Sequence, residues 1–492
     1  MYISVMKKLV TMLLVLVLFA SLLFANGTPE EQREFFENIV YNSQKPNTAT
    51  KASTGSEIIS RDMATLERLY QYVERNYLYD IDYSAVYEAM ATAMFETLND
   101  KYSYYVKSEK SADYAEEVSG SYGGVGIYLS KTYVEYQNPE NEATLYAVIS
   151  QVFPSTPSSK AGLMSGDLIV EINGQSVVEW EATECAKNLK GEPGTAVNLT
   201  IKRGSTVFSV DLIREKIIVP TVDSGMLDSN TGYLRILEFS RGTYRSISDA
   251  LDKLSAQGMQ KLIIDIRSNP GGDVDSALAI ADMFISEADL LNLSYKDPSR
   301  NIHYKATSKI TVSPDVEIAI LTDGGTASAA EIFAAAMRDN SRAVLIGTKT
   351  YGKGVMQLVS AFGDGYISLT TASFSGPTGE AINKEGVQPD IEVKEVYVEE
   401  DEIDAYNALV DSRAPLNFIE KNPEYTDANL KKFAAENAGC GLREELLIII
   451  VRNEYIYKMK YEDRPIADIK YDVACKTAYE YLHSKDKSVV NF

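Results

Sequence analysis

A single serine, Ser328, stands where an apolar run gives way to helix-forming residues. It lies in the stretch GTASAAEIFAAAMRD and follows the strand-like run VEIAILT. Serines at the start of helices usually cap the first turn, so a structural role is the first interpretation. A nucleophilic role would require a general base and hydrogen-bond donors for an oxyanion.

Histidine is the common base for a serine nucleophile, but the chain contains only two, His303 and His483. Neither is flanked by an acidic motif that would suggest a triad. A lysine can replace histidine when burial makes its amine neutral. Lowering the pKa of the lysine costs about 1.4 kcal/mol for each unit of pKa. Lys353, in GTKTYGKGVMQ, is the candidate, because the glycines on both sides of it permit close packing.

The stretch GTKTYGKGVMQ also comes close to a phosphate-binding loop. Gly347, Gly352 and Lys353 have the required spacing, but Gly354 stands where Ser or Thr would bind Mg²⁺. The residues that follow, VMQLVSAF, are typical of a strand, whereas a phosphate-binding loop opens a helix. The sequence therefore favours a lysine base, with an ordinary loop lysine as the remaining alternative.

The two stretches together resemble the C-terminal processing (tail-specific) peptidases of family S41. The resemblance implies Ser328 as nucleophile, Lys353 as base and Gln357 as the residue that orients the lysine. Thr326 and Ala330 depart from the serines of the family pattern, and the central serine is kept. An ideal strand would place the Cα atoms of Lys353 and Gln357 about 13 Å apart, so we expect a bend at Gly354.

The stretch IIDIRSNPGGDVDSA resembles a strand–turn–helix motif of the same family. By itself NPGG is simply a favourable turn. The resemblance implies that the backbone N–H groups of Gly272 and Ala329 form the oxyanion hole. It also implies an α/β (α+β mixed) fold with a crotonase/ClpP-like S41 catalytic core and an inserted PDZ domain. No metal or organic cofactor is implied.

A glycine-rich stretch, SGSYGGVGIYL, precedes a series of short β-type runs. The structural interpretation of this stretch is a loop that enters a strand. The functional interpretation is a nest of backbone N–H groups that binds an anion. About forty residues later, AGLMSGDLIVEINGQSV resembles part of a PDZ domain. That resemblance implies a loop that binds the carboxylate of a peptide C-terminus, with the residues Gly123, Gly124, Val125, Gly126 and Ile127.

Two amphipathic helices are predicted between Arg61 and about Val106, and strands alternating with helices follow Gly232. The predicted organisation is a signal peptide or membrane anchor at 1–26, a polar tether at 27–58, an N-terminal helical segment at 59–112, a PDZ domain at 115–215, an S41 core at 216–395 and a C-terminal helical region at 396–492.

The N-terminus combines Lys7 and Lys8 with an unbroken apolar run of 9–25, which is typical of an export signal and borders on the length of a membrane span. We therefore expect an exported protein, periplasmic or anchored in a membrane and facing away from the cytoplasm. The formal net charge of −22 argues against nucleic-acid binding. Three cysteines form no disulfide framework, and only Cys440 and Cys475 could pair.

The sequence thus predicts an exported serine endopeptidase that recognises the C-terminus of protein or peptide substrates through its PDZ domain. Membrane association through the apolar segment and a homo-oligomer are both possible. The alternative is a catalytically silent PDZ adaptor that binds C-termini without cutting them. A Ser-x-x-Lys acyltransferase is a weaker alternative, since its motif occurs only at Ser4–Lys7 and Ser484–Lys487.

Overall fold

The structure is a computed structural model of the chain, and it describes residues 55–111, 114, 120–134, 137–139, 142–459 and 463–484. The predicted signal segment, 1–26, and the predicted tether up to residue 54 lie outside the described residues. The chain divides into two compact units, Met1–Val86 and Tyr87–Phe492. In the described part of the chain, no helix is both long and apolar enough to cross a bilayer.

The described N-terminal segment begins with helix α1 (Gly55–Asn76) and helix α2 (Tyr83–Glu96). The prediction of helix as far as about Val106 is wrong for the last residues of that range, because Tyr104–Val106 forms strand β1. The chain turns at Asn99, whose φ of 51° lies in the left-handed region that asparagine tolerates. A 3₁₀ turn, Ser108–Lys110, follows β1.

The next segment is rich in strands. Its elements are β2 (Ser121–Gly124), β3 (Ile127–Ser130), α3 (Glu142–Leu145), β4 (Ala147–Val152), α4 (Pro157–Lys160), β5 (Leu168–Ile172), β6 (Gln175–Ser176), α5 (Ala182–Leu189), β7 (Ala196–Arg203), β8 (Thr206–Ile213) and β9 (Glu215–Ile218). The main sheet has the order β3–β4–β5–β7–β8, with β6 beside β5, while β2 pairs with β9.

Strand β3 lies at an edge of that sheet, since its described partner is β4 alone. Side chains that alternate along the strands, such as Ile149, Ile169 and Leu199, are fully buried. They pack with Cys185 and Leu189 of α5 in one apolar cluster. This segment therefore has its own core, and β3 is one of the two edge strands of its sheet, beside which a further strand could be added.

The central domain alternates strands with helices, as the sequence predicts. Its elements are β10 (Val222–Met226), β11 (Thr231–Ile236), α6 (Thr243–Ala256), β12 (Lys261–Asp265), α7 (Val274–Asp282), β13 (Asp289–Tyr295), a 3₁₀ turn (Pro298–Arg300), β14 (Ile302–Lys305), β15 (Glu317–Thr322), α8 (Ala329–Asp339), β16 (Val344–Gly347), β17 (Val355–Phe362), β18 (Gly365–Ser375) and β19 (Ile391–Glu392).

Six of these strands form the main sheet in the order β10–β11–β12–β15–β16–β19, parallel except for the β10–β11 pair. Along β12, Leu262 and Ile264 pack toward α6, α7 and α8. Ile263, between them, faces the opposite side. A parallel sheet buried on both faces requires this apolar character at every position.

A second sheet joins the N-terminal segment to the central domain. It contains β1, β18, β13 and β14 in that order, and β17 also pairs with β18. The β17–β18 register shifts between Met356 and Gln357. Because β17 begins at Val355, Lys353 and Gly354 precede the strand instead of extending it.

The C-terminal region is helical, with a 3₁₀ turn (Glu400–Glu402) followed by α9 (Ile403–Asp411), α10 (Ala414–Lys421), α11 (Asp427–Glu436), α12 (Glu444–Lys458) and α13 (Val473–His483). Helices α9–α12 pack around an apolar cluster that includes Phe433 and Leu447. Helix α13 instead returns to the main sheet and covers its second face through residues such as Ala478. All three cysteines are free thiols, so Cys440 and Cys475 do not pair.

The docking of α13 predicts a clear difference between two substitutions on that helix. Ala478 is fully buried against the sheet, so Ala478→Asp buries an unpaired carboxylate and should destabilise the domain by about 3 kcal/mol or more. Lys476→Ala, on the exposed side of the helix, should change stability by less than about 0.5 kcal/mol. Urea denaturation measures both, and equal midpoints would contradict the assignment of α13 to the core.

Candidate active site

Ser328 occupies a sharp turn between β15 and α8. Its φ of 57° and ψ of −120° are rare for a residue other than glycine and cost about 1–3 kcal/mol. Ser328 and Glu331 form a capping box at the start of α8. The Ser328 N–H donates to the Glu331 carboxylate at 2.8 Å, and the N–H of Glu331 donates to the Ser328 carbonyl oxygen at 2.9 Å. The backbone of Ser328 is therefore tied to the helix that follows it.

Thr326, one of the departures from the family pattern, holds this turn. It is fully buried, and its hydroxyl donates to the carbonyl oxygen of Ile266 at 2.9 Å. Its N–H donates to the carboxylate of Asp323 at 3.0 Å. A threonine therefore supplies a structural hydroxyl here, and it ties the end of β15 to the end of β12.

Gly271 and Gly272 bring a second backbone segment against Ser328. A Cβ atom on Gly271 would lie 2.7 Å from the Cβ of Ser328, and one on Gly272 would lie 2.1 Å from the carbonyl oxygen of Phe239. Their φ values, 103° and 126°, are also those of glycine. The NPGG turn is thus required for close approach to the serine.

The N–H groups of Gly272 and Ala329 donate to no acceptor among the described residues. Ala329 opens α8, where free N–H groups and the helix dipole favour a negative charge. Asn269 joins the two segments: its side-chain oxygen accepts the Gly271 N–H at 2.8 Å, and its carbonyl accepts the Ala327 N–H at 2.9 Å. These donors suit an oxyanion, and their assignment stays a prediction.

Glu331 connects the serine turn with the lysine loop. Its carboxylate is fully buried, and one oxygen, Oε2, accepts the backbone N–H groups of Ser328 and Lys353, each at 2.8 Å. The other, Oε1, accepts the Gly352 N–H at 2.7 Å and the Thr350 hydroxyl at 2.5 Å. A single carboxylate oxygen therefore holds together the backbones of the proposed nucleophile and base.

The amine of Lys353 lies in a half-buried site lined by aromatic side chains. Its Nζ is 4.8 Å from the centroid of the Tyr102 ring. Burial lowers the pKa of Lys353, and the charge of Lys101 lowers it further, against the opposing influence of Tyr351, Asp100 and Glu331. The net lowering of the pKa means that, at a given pH, a larger fraction of the Lys353 amine is neutral than in a free lysine.

The segment Asp100–Ser103 places these groups beside the lysine. The Asp100 carboxylate accepts the Tyr102 N–H at 3.0 Å and the Ser103 hydroxyl at 2.6 Å. Burial raises the pKa of Asp100, but hydrogen bonds from Ser103, Thr370 and Tyr102 outweigh it and hold the pKa below its ordinary value. The carboxylate therefore stays charged and fixes the loop that carries Tyr102.

Gln357 lies on β17, next to the irregular register. Its Nε2 donates to the Thr370 hydroxyl at 3.1 Å and to the Val355 carbonyl at 3.4 Å. A hydrogen bond to Lys353 is not among those of the described residues. The irregularity in register lies between Met356 and Gln357, inside β17, and both the bend expected at Gly354 and the orienting role of Gln357 stay predictions.

Arg267, just before the NPGG turn, links that turn to the C-terminal helix. Its guanidinium donates to both oxygens of Asp472, at 2.9 and 2.6 Å, and to Glu395 at 2.9 Å. It also binds Asp265, at 2.7 Å. Burial raises the pKa of Asp265, but the hydrogen bonds and charge of Arg267 reverse this and hold it below its usual value.

The proposed carboxylate loop is divided between a strand pair and a turn. Gly123 and Gly124 belong to β2 and pair with β9, whereas Val125 and Gly126 form the turn and Ile127 opens the edge strand β3. Gly126 has a φ of 82°. A Cβ atom there would lie 2.4 Å from the side chain of Thr156, so the turn needs glycine at this position. Binding of a peptide carboxylate stays a prediction.

Glu331 and the segment Asp100–Ser103 were not identified as functional from the sequence. Glu331 did leave a signal, because it is an acidic residue within the otherwise apolar run SAAEIFAAAM. A charge on the buried face of a helix needs partners, and those partners mark a site. Nothing in the order of the sequence indicates that Asp100 lies beside Lys353.

The position of Glu331 predicts that Glu331→Gln will impair both stability and reactivity. An amide has a single acceptor oxygen, so its NH₂ group would face two N–H or hydroxyl donors and cost about 2–3 kcal/mol. Labelling of Ser328 by a fluorophosphonate should slow, and the urea midpoint should fall. Glu380→Gln, with a carboxylate that is 72% exposed, is the matched control. Labelling at the wild-type rate in Glu331→Gln would show that the carboxylate does not hold the site.

Comparison with known proteins identifies two domains. Residues 230–393 match the model for peptidase family S41, and residues 123–202 match the model for the PDZ domain. The chain is 31% identical over 347 residues to the carboxy-terminal processing protease CtpA of Bacillus subtilis, covering 70% of each chain. It is 30% identical over 333 residues to a probable CtpA-like serine protease of Staphylococcus epidermidis, covering 68% of this chain and 65% of that one.

Among solved structures, the chain is similar to a photosystem II D1 C-terminal processing protease, with 26% identity, a TM-score of 0.40, and coverage of 66% of this chain and 86% of that one. The extent of the likeness to CtpA, together with the two matched domains, confirms the predicted family and the mixed α/β fold. The chain belongs to peptidase family S41 and is a serine-type C-terminal processing peptidase with a PDZ domain.

Proposed function

We propose that the chain is an exported endopeptidase that recognises substrate C-termini through its PDZ domain and cleaves with Ser328 as nucleophile and Lys353 as base. The observation that carries the proposal is the Glu331 carboxylate, whose Oε2 accepts the backbone N–H groups of both residues. The strained backbone of Ser328 and the lowered pKa of Lys353 support it.

In the first half of the reaction, the neutral amine of Lys353 accepts the proton of Ser328 Oγ as the oxygen attacks the scissile carbonyl carbon. The carbonyl oxygen becomes an oxyanion, which accepts hydrogen bonds from the N–H groups of Gly272 and Ala329. When the intermediate collapses, the C–N bond breaks and the Lys353 ammonium returns the proton to the leaving amine. The products are an amine and an ester on Ser328.

In the second half, a water molecule attacks the ester while Lys353 accepts one of its protons. The second oxyanion uses the same two N–H groups. Its collapse breaks the bond to Ser328 Oγ, which takes the proton back, and the new carboxylic acid leaves. The cycle restores the serine and the neutral lysine, and it consumes only water.

The open edge of β3 supports the recognition part of the proposal. A peptide added as a strand beside β3 would place its terminal carboxylate at the turn that holds Val125 and Gly126. The buried apolar side chains of Val125, Ile127 and Leu189 lie in the same cluster, which favours an apolar terminal residue. Substrates would therefore be proteins or peptides with a free, apolar C-terminus.

The export part of the proposal rests on Lys7, Lys8 and the apolar run 9–25. Fractionation of cells that express the full chain with a C-terminal tag tests it. Recovery of the tagged chain in the cytoplasmic fraction alone would overturn it. Membrane anchoring predicts recovery with membranes, and signal removal predicts a shorter exported chain.

Replacement of the proposed dyad should abolish peptide cleavage. Ser328→Ala, Lys353→Ala and Lys353→Arg should each lose at least about a thousandfold in kcat/KM, since a guanidinium cannot act as a base near neutral pH. Each variant should retain the wild-type urea midpoint within error. Substantial turnover by any of the three would eliminate the Ser–Lys mechanism, and a folded wild-type protein without peptidase activity would favour a PDZ adaptor.

Recognition of the tail predicts a preference between two forms of one peptide. The wild-type enzyme should cleave the peptide with a free C-terminus at least about tenfold faster than the amidated form, since the amide lacks the charge that backbone N–H groups bind. Equal rates would show that the carboxylate is not read.

Two glycine variants localise that preference. Gly126 and Gly162 both have positive φ values, 82° and 74°, so alanine strains the backbone at either position. A Cβ atom meets Thr156 only at Gly126, while nothing lies within 4 Å at Gly162. Gly126→Ala should reduce the preference for the free tail, and Gly162→Ala should keep it. The reverse result would place recognition elsewhere.

A further inference from the structure

The surroundings of Lys353 contain a second cation that the reaction as described does not use. Lys101 Nζ donates to the hydroxyl of Tyr351 at 2.6 Å. It also lies 4.8 Å from the centroid of the Tyr102 ring, the same distance at which Lys353 Nζ lies from that ring. Two ammonium groups therefore share one aromatic ring, in a segment that precedes the PDZ domain by some twenty residues.

The backbone around this ring is firmly held. The Tyr102 N–H donates to Asp100 at 3.0 Å, and the Tyr102 carbonyl accepts the Ser368 hydroxyl at 3.0 Å. Tyr351 is fixed from the other side, because its N–H donates to the Thr326 carbonyl at 2.9 Å. The pair Lys101–Tyr351 thus connects the N-terminal segment to the loop that carries Lys353.

We propose that Tyr102 and Lys101 are positioning residues for the base: the Tyr102 ring holds the amine of Lys353, and the ammonium of Lys101 disfavours a second positive charge beside it. The inference rests on the proposed Ser–Lys mechanism. It assigns the segment Asp100–Ser103 a part in catalysis, without direct contact with the substrate.

The groups that face Lys353 act in both directions. Lys101 opposes protonation, whereas Asp100, Glu331 and Tyr351 favour it. Because only the neutral amine accepts the Ser328 proton, activity rises with pH as Lys353 loses its own proton. Removing Lys101 makes that proton harder to lose and moves the rise to higher pH. Removing the charge of Asp100 moves it to lower pH.

The test is the pH profile of kcat/KM for a free-tailed peptide. Lys101→Gln should move the rising limb to higher pH, lower kcat/KM about two- to fivefold at pH 7, as expected for a solvent-exposed charge, and approach wild-type activity at alkaline pH. Lys101→Arg keeps the positive charge and should therefore show the wild-type pH profile. The difference should shrink at 1 M salt, which screens exposed charges.

Three further variants separate electrostatics from structure. Lys107→Gln removes an equal charge from the exposed part of the same segment and should leave the profile unchanged. Asp100→Asn should shift the limb to lower pH. Tyr102→Phe keeps the ring and should behave as wild type, whereas Tyr102→Leu should lower kcat at every pH. A purely structural role of Lys101 and Asp100 would lower activity uniformly in their variants and leave the rising limb at the wild-type pH.

These measurements test the positioning role of Lys101 and Tyr102 separately from the proposed Ser–Lys mechanism. If Ser328→Ala and Lys353→Ala are inactive but Lys101→Gln keeps the wild-type midpoint, the positioning role is wrong and the dyad stands. If Lys353→Ala retains activity, the dyad itself is wrong. Opposite shifts in Lys101→Gln and Asp100→Asn, with no shift in Lys107→Gln, support the proposal.

Discussion

The carboxylate of Glu331 is the constraint on which the rest of the site depends. A charge that is fully buried requires donors on every side, and here the donors are three backbone N–H groups and one hydroxyl. Two of those N–H groups belong to Ser328 and Lys353. The need to satisfy one anion therefore fixes the separation of two loops that are distant in the chain.

This arrangement explains how Ser328 can keep a strained backbone. Three residues hold the turn by hydrogen bonds. The Glu331 carboxylate accepts the Ser328 N–H, the Thr326 hydroxyl donates to the Ile266 carbonyl, and the Asn269 carbonyl accepts the Ala327 N–H. The backbone around Ser328 is therefore fixed by bonds of three separate residues. Strain of this kind persists only where the surroundings overdetermine the conformation.

Much of the fold could be predicted from the sequence, because apolar runs of the right length and period report directly on buried strands and helices. The main sheet and the short strands of the PDZ segment followed from such runs. Strand β1 could not be predicted, since Tyr104–Val106 is a strand only because β18 lies beside it. Its spacing alone equally suits a helix.

In the candidate site, too, some residues could be predicted from local sequence motifs and others could not. Ser328 and Lys353 could be proposed because each lies in a local motif, and the family resemblance set their roles. The bonds of Gln357, to Thr370 and Val355, depend on strand register, which local motifs do not encode. The approach of Asp100 and Tyr102 to Lys353 is likewise a long-range contact without any pattern in the sequence.

The ion pair between Arg267 and Asp472 has a consequence for the order in which the enzyme is completed. During synthesis the ribosome adds Ser328, Lys353 and the NPGG turn long before it adds Asp472. Until α13 has been made and has docked on the sheet, the guanidinium beside the oxyanion turn lacks the partner that binds it at two points. This bond beside the oxyanion turn therefore forms only after the segment that carries α13 has been made, so the turn is braced later than the residues that compose it.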